Sequence, residues 1–415
     1  MIKTTQDATA SSTVYRFRLQ DFLLGAQMLF VAFGALVLVP ILSGLDPNVA
    51  LFTSGLGTLC FQLVTGGKVP VYLASSFAFI APITLSIEKY GLAATLSGLA
   101  AAGVVYLILS LIVFWGDSGI INRFLPTIVT GPVIMVIGLG LASTAVDMAT
   151  NAGDNYSGAI AIGVAAISLL VTMLTAITAR GFLRLVPILA GIFAGYLVSL
   201  PLGLVDFSPI AQAPWLAFPR FTAPQFSLPA ILFMMPLAFA PAIEHVGYVL
   251  AIGAVTINDY LRDPGIHRTL LGDGIATTLA AFLGGPPNTT YSEVTGAVAL
   301  TRVFNPAIMT WAALSAILLS FFGKLGAILQ TIPVPVMGGI LIVLFGTVVI
   351  VGMISLVRSS EDLLQPRNIA IVGIILMLGV GGMSVKAGSF ALEGIGLSSI
   401  VGVLLNLLLP QGKKV

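Results

Sequence analysis

Two interrupted apolar segments decide the fold of this chain: Val71-Tyr72-Leu73-Ala74-Ser75-Ser76-Phe77-Ala78-Phe79-Ile80, within 70–87, and Pro287-Asn288-Thr289-Thr290-Tyr291-Ser292-Glu293, within 287–303. Each mixes Pro, Ser, Thr or Gly with apolar residues, so neither suits a simple membrane-spanning helix. Non-helical backbone at membrane depth is tolerated only where it is buried in protein or lines a cavity. We therefore predict that each segment is a short extended strand leading into a half-helix.

Composition places the whole chain in a lipid bilayer. Of its 415 residues, 58% are hydrophobic and 8% are charged, with a mean hydropathy of +1.08. Soluble proteins carry about 25% charged residues, so we predict an all-α polytopic membrane protein. The net charge of +2, without a basic run, argues against nucleic acid as a partner. A single cysteine, Cys60, excludes an intramolecular disulfide, and two histidines are too few for a histidine-based zinc site.

Apolar stretches of about 20 residues, the length that spans a bilayer, recur along the chain. Twelve of them are uninterrupted, near 21–43, 48–66, 94–115, 124–146, 158–178, 184–204, 229–256, 269–284, 307–322, 331–356, 368–383 and 392–410. The two interrupted segments bring the prediction to fourteen spans in two sets of seven. The predicted order is a cytoplasmic tail, a first repeat, a proline-rich periplasmic linker, a second repeat and a cytoplasmic tail, at 1–20, 21–204, 205–227, 228–410 and 411–415.

The distribution of positive charge supports this topology. With the N-terminus in the cytoplasm, Lys89, Arg220, Lys324 and Lys386 face outward, and the other fourteen of the eighteen Lys and Arg residues face inward. The positive-inside rule expects this asymmetry. The first apolar run, Phe22 to Leu42, is too long for the core of a signal peptide, so we interpret it as an uncleaved first span.

The two sets of spans resemble each other. The pair Leu125-Pro126 with Gly131 recurs as Ile332-Pro333 with Gly338, at the same interval from Pro to Gly. Seven is an odd number, so a repeated half inserts with the opposite orientation. Inverted repeats with discontinuous helices are typical of secondary transporters, whose site lies at the midplane. The alternative is that Gly and Pro recur by chance, because both are common in membrane helices.

Two carboxylates lie inside apolar segments, Glu244 in the run from Met234 to Val255 and Glu293 at the end of the second interrupted segment. An ionisable group in a bilayer costs about 3 kcal/mol unless it faces protein, water or a ligand. We interpret both as a substrate and proton site; the alternative is that they brace neighbouring helices. Ser75, Ser76 and Phe77 are expected to face Tyr291, Ser292 and Glu293.

This combination of groups suits one kind of solute. Carboxylate acceptors, backbone N–H donors at half-helix N-termini and an aromatic face match a small planar molecule with alternating N–H and C=O edges. A nucleobase has that pattern. A hard metal cation fits less well, because two carboxylates offer few oxygen ligands, and we predict no metal site and no bound cofactor.

Over nearly its whole length the chain resembles the nucleobase/ascorbate transporters, and among them the bacterial uracil–proton symporters. The resemblance is carried by motifs in the same order, Phe33-Gly34-Ala35-Leu36-Val37-Leu38-Val39-Pro40, the two interrupted segments, Glu244-His245-Val246-Gly247, Arg262-Asp263-Pro264-Gly265-Ile266-His267-Arg268 and Ile332-Pro333-Val334-Pro335-Val336-Met337-Gly338-Gly339. It implies a core domain (spans 1–4 and 8–11) that carries substrate past a gate domain (spans 5–7 and 12–14), in a bacterial cytoplasmic membrane. It also implies a homodimer.

The resemblance implies roles for individual residues. Glu244 corresponds to the eighth-span carboxylate that binds a ring N–H of the base, and Glu293 to its tenth-span partner. Phe77 and Tyr291 correspond to residues that pack on the base or present backbone groups to it. Ala35 corresponds to a small residue of the pocket wall, and Asp273 to an acidic residue that supports the core.

The chain departs from the family pattern at three positions. A histidine implicated in proton coupling is Tyr248 here, a gate-side tyrosine of span 12 is Phe345, and the asparagine after Glu293 is Val294. We therefore expect Glu244 to carry the proton, with Tyr248 and the adjacent His245 as the other candidate coupling residues. H⁺ is the expected coupling ion, and Na⁺ stays open.

Three alternatives to a uracil–proton symporter are open. A purine or xanthine permease of the same family is the nearest, although Thr-Thr-Tyr-Ser-Glu at 289–293 is closer to the pyrimidine branch. An anion exchanger of related fold is disfavoured because two site carboxylates repel an anion. An intramembrane enzyme is disfavoured because the sequence has neither a Gly-x-Ser-x-Gly nor a His-Glu-x-x-His motif.

Overall fold

Apolar helices make up most of the computed structural model, which describes residues 12–116, 126–151, 157–359, 361–387 and 390–410. Residues 1–11 of the predicted N-terminal tail and the whole predicted C-terminal tail, 411–415, lie outside the described residues. So does Leu125 of the repeated Leu-Pro pair.

The described residues of the first half form nine α-helices and one strand: α1 (Phe22–Ser43), α2 (Pro47–Val64), β1 (Leu73–Ser75), α3 (Ile80–Tyr90), α4 (Leu92–Trp115), α5 (Thr127–Gly140), α6 (Ala142–Thr150), α7 (Gly158–Thr178), α8 (Pro187–Ser199) and α9 (Ser208–Gln212). In the second half, the part of the chain that the structure describes forms nine α-helices and three strands: α10 (Leu228–Met234), α11 (Phe239–Thr256), α12 (Ile266–Leu283), β2 (Asn288–Thr290), α13 (Ser292–Thr301), α14 (Ala307–Ser320), α15 (Gly323–Gln330), α16 (Val334–Val357), α17 (Pro366–Val380), β3 (Ser384–Ala387), β4 (Phe390–Glu393) and α18 (Gly394–Leu408).

Within the described ranges, seven helical stretches are long and apolar enough to cross a membrane. They are Leu19–Ser43, Pro47–Val64, Leu92–Trp115, Thr127–Thr150, Gly158–Thr178, Leu228–Thr256 and Val334–Val357. Four shorter apolar helices, α8, α14, α17 and α18, accompany them. A polytopic helical membrane protein is therefore confirmed, whereas the count of fourteen spans and the domain boundaries stay predictions.

Helix ends follow local sequence rules. Asp46 caps α2: its carboxylate accepts the N–H of Asn48 at 2.7 Å, and Pro47 occupies the first helical position, where its missing N–H costs nothing. The turn before α2 uses Gly44 at φ +74°, a conformation that L side chains rarely adopt. Of the predicted spans, 124–146 is broken at Leu141 and continues to Thr150.

Both interrupted segments contain the predicted strand followed by a half-helix. β1 and β2 pair antiparallel, with Leu73 opposite Thr290 and Ser75 opposite Asn288. The N–H of Ser76 donates to the carbonyl of Pro287 at 2.9 Å and extends the pairing. After β1 a 3₁₀ turn leads into α3, and β2 leads into α13 through Tyr291. Hydrogen bonds between the two interrupted segments therefore hold the start of each half-helix in place.

Hydroxyl groups on two flanking helices hold this strand pair. On α2, Ser54 donates to the carbonyl of Leu73 at 2.5 Å, and Thr58 accepts the Leu73 N–H at 3.0 Å. On α12, Thr277 donates to the carbonyl of Asn288 at 2.9 Å. Because three residues per strand give the pair few hydrogen bonds of its own, these contacts supply partners for backbone groups that would otherwise be buried unsatisfied.

A second two-stranded sheet was not predicted. β3 and β4 form an antiparallel hairpin, with Ser384 opposite Glu393 and Ala387 opposite Phe390. The hairpin precedes α18, so the helix begins at Gly394 where the apolar pattern had suggested 392. The all-α description therefore holds for the spans but omits this connection.

Candidate functional site

Glu244 lies at the centre of the described site, on α11. A 3₁₀ turn at Met235–Ala238, which contains Pro236, separates α11 from α10. The Glu244 side chain is buried, and its Oε1 accepts a hydrogen bond from the hydroxyl of Tyr248 at 2.8 Å. Residues four apart face the same side of a helix, so the tyrosine that replaces the family histidine reaches the carboxylate directly.

Glu293 occupies the first turn of α13, beside the end of β2. Its Oε2 accepts a hydrogen bond from the hydroxyl of Ser292 at 2.8 Å. The carboxylates of Glu293 and Glu244 lie close enough to repel each other, and the Tyr248 hydroxyl lies beside Ser292. The structure therefore brings the two predicted carboxylates into one site, each with one oxygen occupied by a neighbouring hydroxyl.

Aromatic rings cover one side of the carboxylates. The rings of Phe77 and Tyr291 have centroids 6.3 Å apart, and Phe345 of α16 lies edge-on to Phe77 at 5.9 Å. The Tyr291 hydroxyl lies beside the backbone of Ala35 and the carboxylate of Glu293. Ala35 itself is fully buried in α1. These contacts collect the predicted ring and wall residues around the start of the two half-helices.

Several hydroxyls next to the strand pair are buried without a hydrogen-bond partner in the part of the chain that the structure describes: Ser75, Ser76 and Thr289. Ser76 immediately precedes the 3₁₀ turn at Phe77–Phe79, and its side chain makes no capping bond there. Buried polar groups are normally satisfied by protein or water. Unpaired groups at a half-helix start are available to a polar ligand.

His245 points away from the carboxylates, as a residue adjacent to Glu244 on a helix should. Its ring is fully buried, with Nδ1 2.8 Å from Oδ2 of Asp273 and 3.3 Å from the hydroxyl of Thr290. Its Nε2 lies 2.9 Å from the hydroxyl of Thr269. Asp273 therefore joins α12 to α11 through His245; that it supports the core stays a prediction.

Four positioning residues escaped the sequence reasoning: Ser54, Thr58, Thr269 and Thr290. Each is a hydroxyl residue in an apolar setting, which is common in membrane helices and carries little signal by itself. Ser54 and Thr58 are four residues apart, a spacing that places both hydroxyls on one face of α2. This spacing is the feature of the sequence that could have identified them.

One well-formed cavity is lined by neither Glu244 nor Glu293. It measures about 720 Å³ between α4, α11 and α18, and its lining from Val105 to Leu407 is entirely apolar. A purely apolar cavity offers no group to orient a polar solute, so the carboxylate cluster is the candidate site. Among the described residues no group of three or more His, Cys, Asp or Glu could hold a metal ion.

The site therefore offers two carboxylate acceptors, unpaired hydroxyl groups at the starts of the half-helices, and aromatic rings. This is the set of groups predicted for a planar hydrogen-bonding solute.

The sequence model of the permease family that groups xanthine and uracil permeases matches residues 19–388. The chain belongs to this permease family. A permease moves its solute without converting it, so this family member is a multi-pass membrane transporter and not an enzyme.

Similar proteins extend over most of the chain. A Haemophilus influenzae protein named "Probable uracil permease" is 52% identical over 95% of this chain and 96% of its own. The Bacillus subtilis uracil permease is 43% identical over 94% and 92%, and the Escherichia coli uracil permease 39% identical over 94% and 91%.

Solved transporter structures share the fold at low identity. The transmembrane domain of the cyanobacterial bicarbonate transporter BicA superposes with a TM-score of 0.60 at 14% identity, covering 94% of this chain and 97% of that domain. The structure of SLC26A9 superposes with a TM-score of 0.65 at 15% identity, covering 94% of this chain and 65% of that one. At such identities the likeness concerns the fold of this permease alone.

Proposed function

We propose that this permease imports uracil, or a closely related pyrimidine nucleobase, across the bacterial cytoplasmic membrane by proton symport. The observation that carries the proposal is the convergence of Glu244 and Glu293 on the starts of two half-helices. Relatives named as uracil permeases, 39–53% identical over most of the chain, support pyrimidine as the substrate class.

The free carboxylate oxygens of Glu244 and Glu293 accept the ring N–H groups of the base. Its carbonyl oxygens accept N–H groups of the backbone at Phe77 and Tyr291, and the hydroxyls of Ser76 and Ser292 lie beside them. Phe77 and Tyr291 flank the ring, and Ala35 leaves room for it. A base with a different edge pattern leaves buried groups unpaired, at about 1–3 kcal/mol each.

The coupling proton binds to Glu244. A protonated carboxyl is neutral, so it lowers the cost of carrying a buried acid through the membrane. Tyr248 donates to the same carboxylate and keeps it oriented without itself supplying a charge. H⁺ is the coupling ion, and no other cofactor takes part; Na⁺ is the alternative that an ion-replacement assay separates.

The transport cycle follows alternating access of the elevator type. In it, a core of spans 1–4 and 8–11 moves past a gate of spans 5–7 and 12–14, within a fourteen-span inverted repeat. Both termini face the cytoplasm, and two copies form a homodimer. The paired half-helices and the BicA-like fold support this arrangement.

Uptake of radiolabelled uracil into proteoliposomes tests the substrate. We expect uptake that an inward proton gradient drives, that a protonophore abolishes, and that unlabelled pyrimidines but not adenine or xanthine compete away. Competition by xanthine alone would move the protein to the purine permeases. Uptake that follows a Na⁺ gradient at constant pH would show that Na⁺, and not H⁺, is the coupling ion.

A further inference from the structure

The contacts of His245 assign hydrogens to its ring. Thr269 donates its one hydroxyl hydrogen to the carbonyl of Ile266 at 3.1 Å. The oxygen of that hydroxyl lies 2.9 Å from Nε2 of His245, and it can then only accept. Nε2 therefore carries a hydrogen.

The other ring nitrogen faces a carboxylate. Nδ1 of His245 lies 2.8 Å from Oδ2 of Asp273, and both side chains are fully buried. An ionised carboxylate has no hydrogen to give, so either Nδ1 carries a second hydrogen or Asp273 is protonated. In both cases the pair holds one proton more than a neutral ring beside an ionised carboxylate.

We propose that His245 and Asp273 form a neutral pair that keeps one proton inside the protein, separate from the proton that Glu244 carries. The link to transport rests on the proposed function, whereas the state of the pair does not. Both residues act as positioning residues for the substrate site.

The surroundings explain why a neutral pair is needed. Glu244 is the next residue on α11, and Glu293 lies close to Glu244. From α4, the buried hydroxyl of Tyr106 lies within electrostatic reach of Asp273 and Glu244 and brings no positive charge. Without the shared proton, Asp273 would add its own negative charge to a buried region that already holds the carboxyl groups of Glu244 and Glu293, and repulsion between buried charges is strong.

The pair also fixes the strand that starts the half-helix. Thr290 lies 3.3 Å from Nδ1 of His245 and pairs with Leu73 in the sheet. Tyr291, the next residue, precedes the first turn of α13. Both nitrogens of the His245 ring contact neighbouring side chains, which hold the ring in place. Through Thr290, the ring positions Tyr291 and Glu293 relative to Glu244.

Nitrogen NMR on the intact protein in lipid measures directly which nitrogens of the His245 ring carry a hydrogen. The chain has two histidines, so a His267→Asn background leaves one labelled ring. His267 is half-buried against Phe114, away from the carboxylates. At pH 7 we expect a protonated Nε2 and an Nδ1 that shares its hydrogen with Asp273. A bare Nε2, the signature of a neutral ring protonated on Nδ1 alone, would overturn the proposal.

Uracil uptake by three variants tests the pairing separately. His245→Asn leaves Asp273 buried without its partner, and Asp273→Asn removes the carboxylate beside Nδ1. The double variant has a neutral amide at both positions, so we expect its uptake rate to be at least tenfold higher than that of His245→Asn. Losses that simply multiply would contradict the pairing. Absent uptake in the unmodified protein would contradict the proposed function and leave the NMR result standing.

Discussion

The ring of Phe345 meets the ring of Phe77 edge-on, with centroids 5.9 Å apart and planes at 88°. Phe345 belongs to α16, in the predicted gate, and Phe77 follows β1, in the predicted core. The ring of Phe77 also lies beside the ring of Tyr291, with centroids 6.3 Å apart. In the proposed cycle this pair closes the site between the two domains.

Removing this aromatic contact should weaken substrate retention. An aromatic pair contributes about 0.5–1.5 kcal/mol beyond its buried area, which corresponds to roughly a 2- to 10-fold higher KM for uracil in Phe345→Leu. Phe345→Tyr keeps the ring and should stay close to the unmodified protein. Initial uptake rates across uracil concentrations measure both variants. An unchanged KM in Phe345→Leu would separate this contact from substrate binding.

Glu244→Gln should abolish the response of uptake to a proton gradient, because an amide cannot take up the coupling proton. We expect gradient-driven uptake to fall at least tenfold, a loss of about 1.4 kcal/mol or more. The matched control is Glu88→Gln, which neutralises an exposed carboxylate on α3. Uptake is compared with and without the gradient. Gradient-dependent uptake that survives in Glu244→Gln would remove Glu244 from the coupling step.

Tyr248→Phe removes the donor that orients Glu244 and leaves the ring in place. Hydrogen bonds to charged groups contribute about 1.5–3 kcal/mol, so the KM for uracil should rise by roughly 10-fold or more. Tyr260→Phe is the control, because its buried hydroxyl bonds Thr256 and not a carboxylate. If both variants lose the same affinity, the effect comes from general packing of α11 and not from Glu244.

Thr58→Val should destabilise the strand pair without changing side-chain shape. The Leu73 N–H would lose its acceptor in a buried place, at about 1–3 kcal/mol. Thr58→Ser keeps the hydroxyl and should retain most of the stability. Thermal unfolding in detergent, followed for both variants, measures the difference. Equal melting temperatures would show that β1 does not depend on this bond.

The sequence predicted the parts of the fold that follow from polarity and length. Interrupted segments with serine and threonine correctly indicated β1, β2 and the half-helices after them, because lipid excludes unpaired backbone. Buried Glu244 and Glu293 were likewise visible, since carboxylates are rare in apolar runs. The predicted bounds of the spans were less accurate where proline or glycine perturbs a helix. The segment predicted to span 184–204 forms an α-helix only at Pro187–Ser199.

Contacts between distant segments could not be predicted in the same way. Thr269 and Thr290 are unremarkable residues until the fold places both on the ring of His245. The β3–β4 pairing likewise could not be predicted, because it occurs in a stretch where apolar residues suggest the start of a span. The family resemblance identified Asp273 as a support, but its partner His245 emerged only from the geometry.

Proton movement driven by uracil tests the central claim most directly. Proteoliposomes loaded with a pH-sensitive dye are given external uracil without a pre-formed gradient, and the internal pH is followed. We predict that uracil acidifies the interior, that adenine does not, and that Glu244→Gln abolishes the response. Uracil that accumulates inside without any internal pH change would contradict proton symport by this permease.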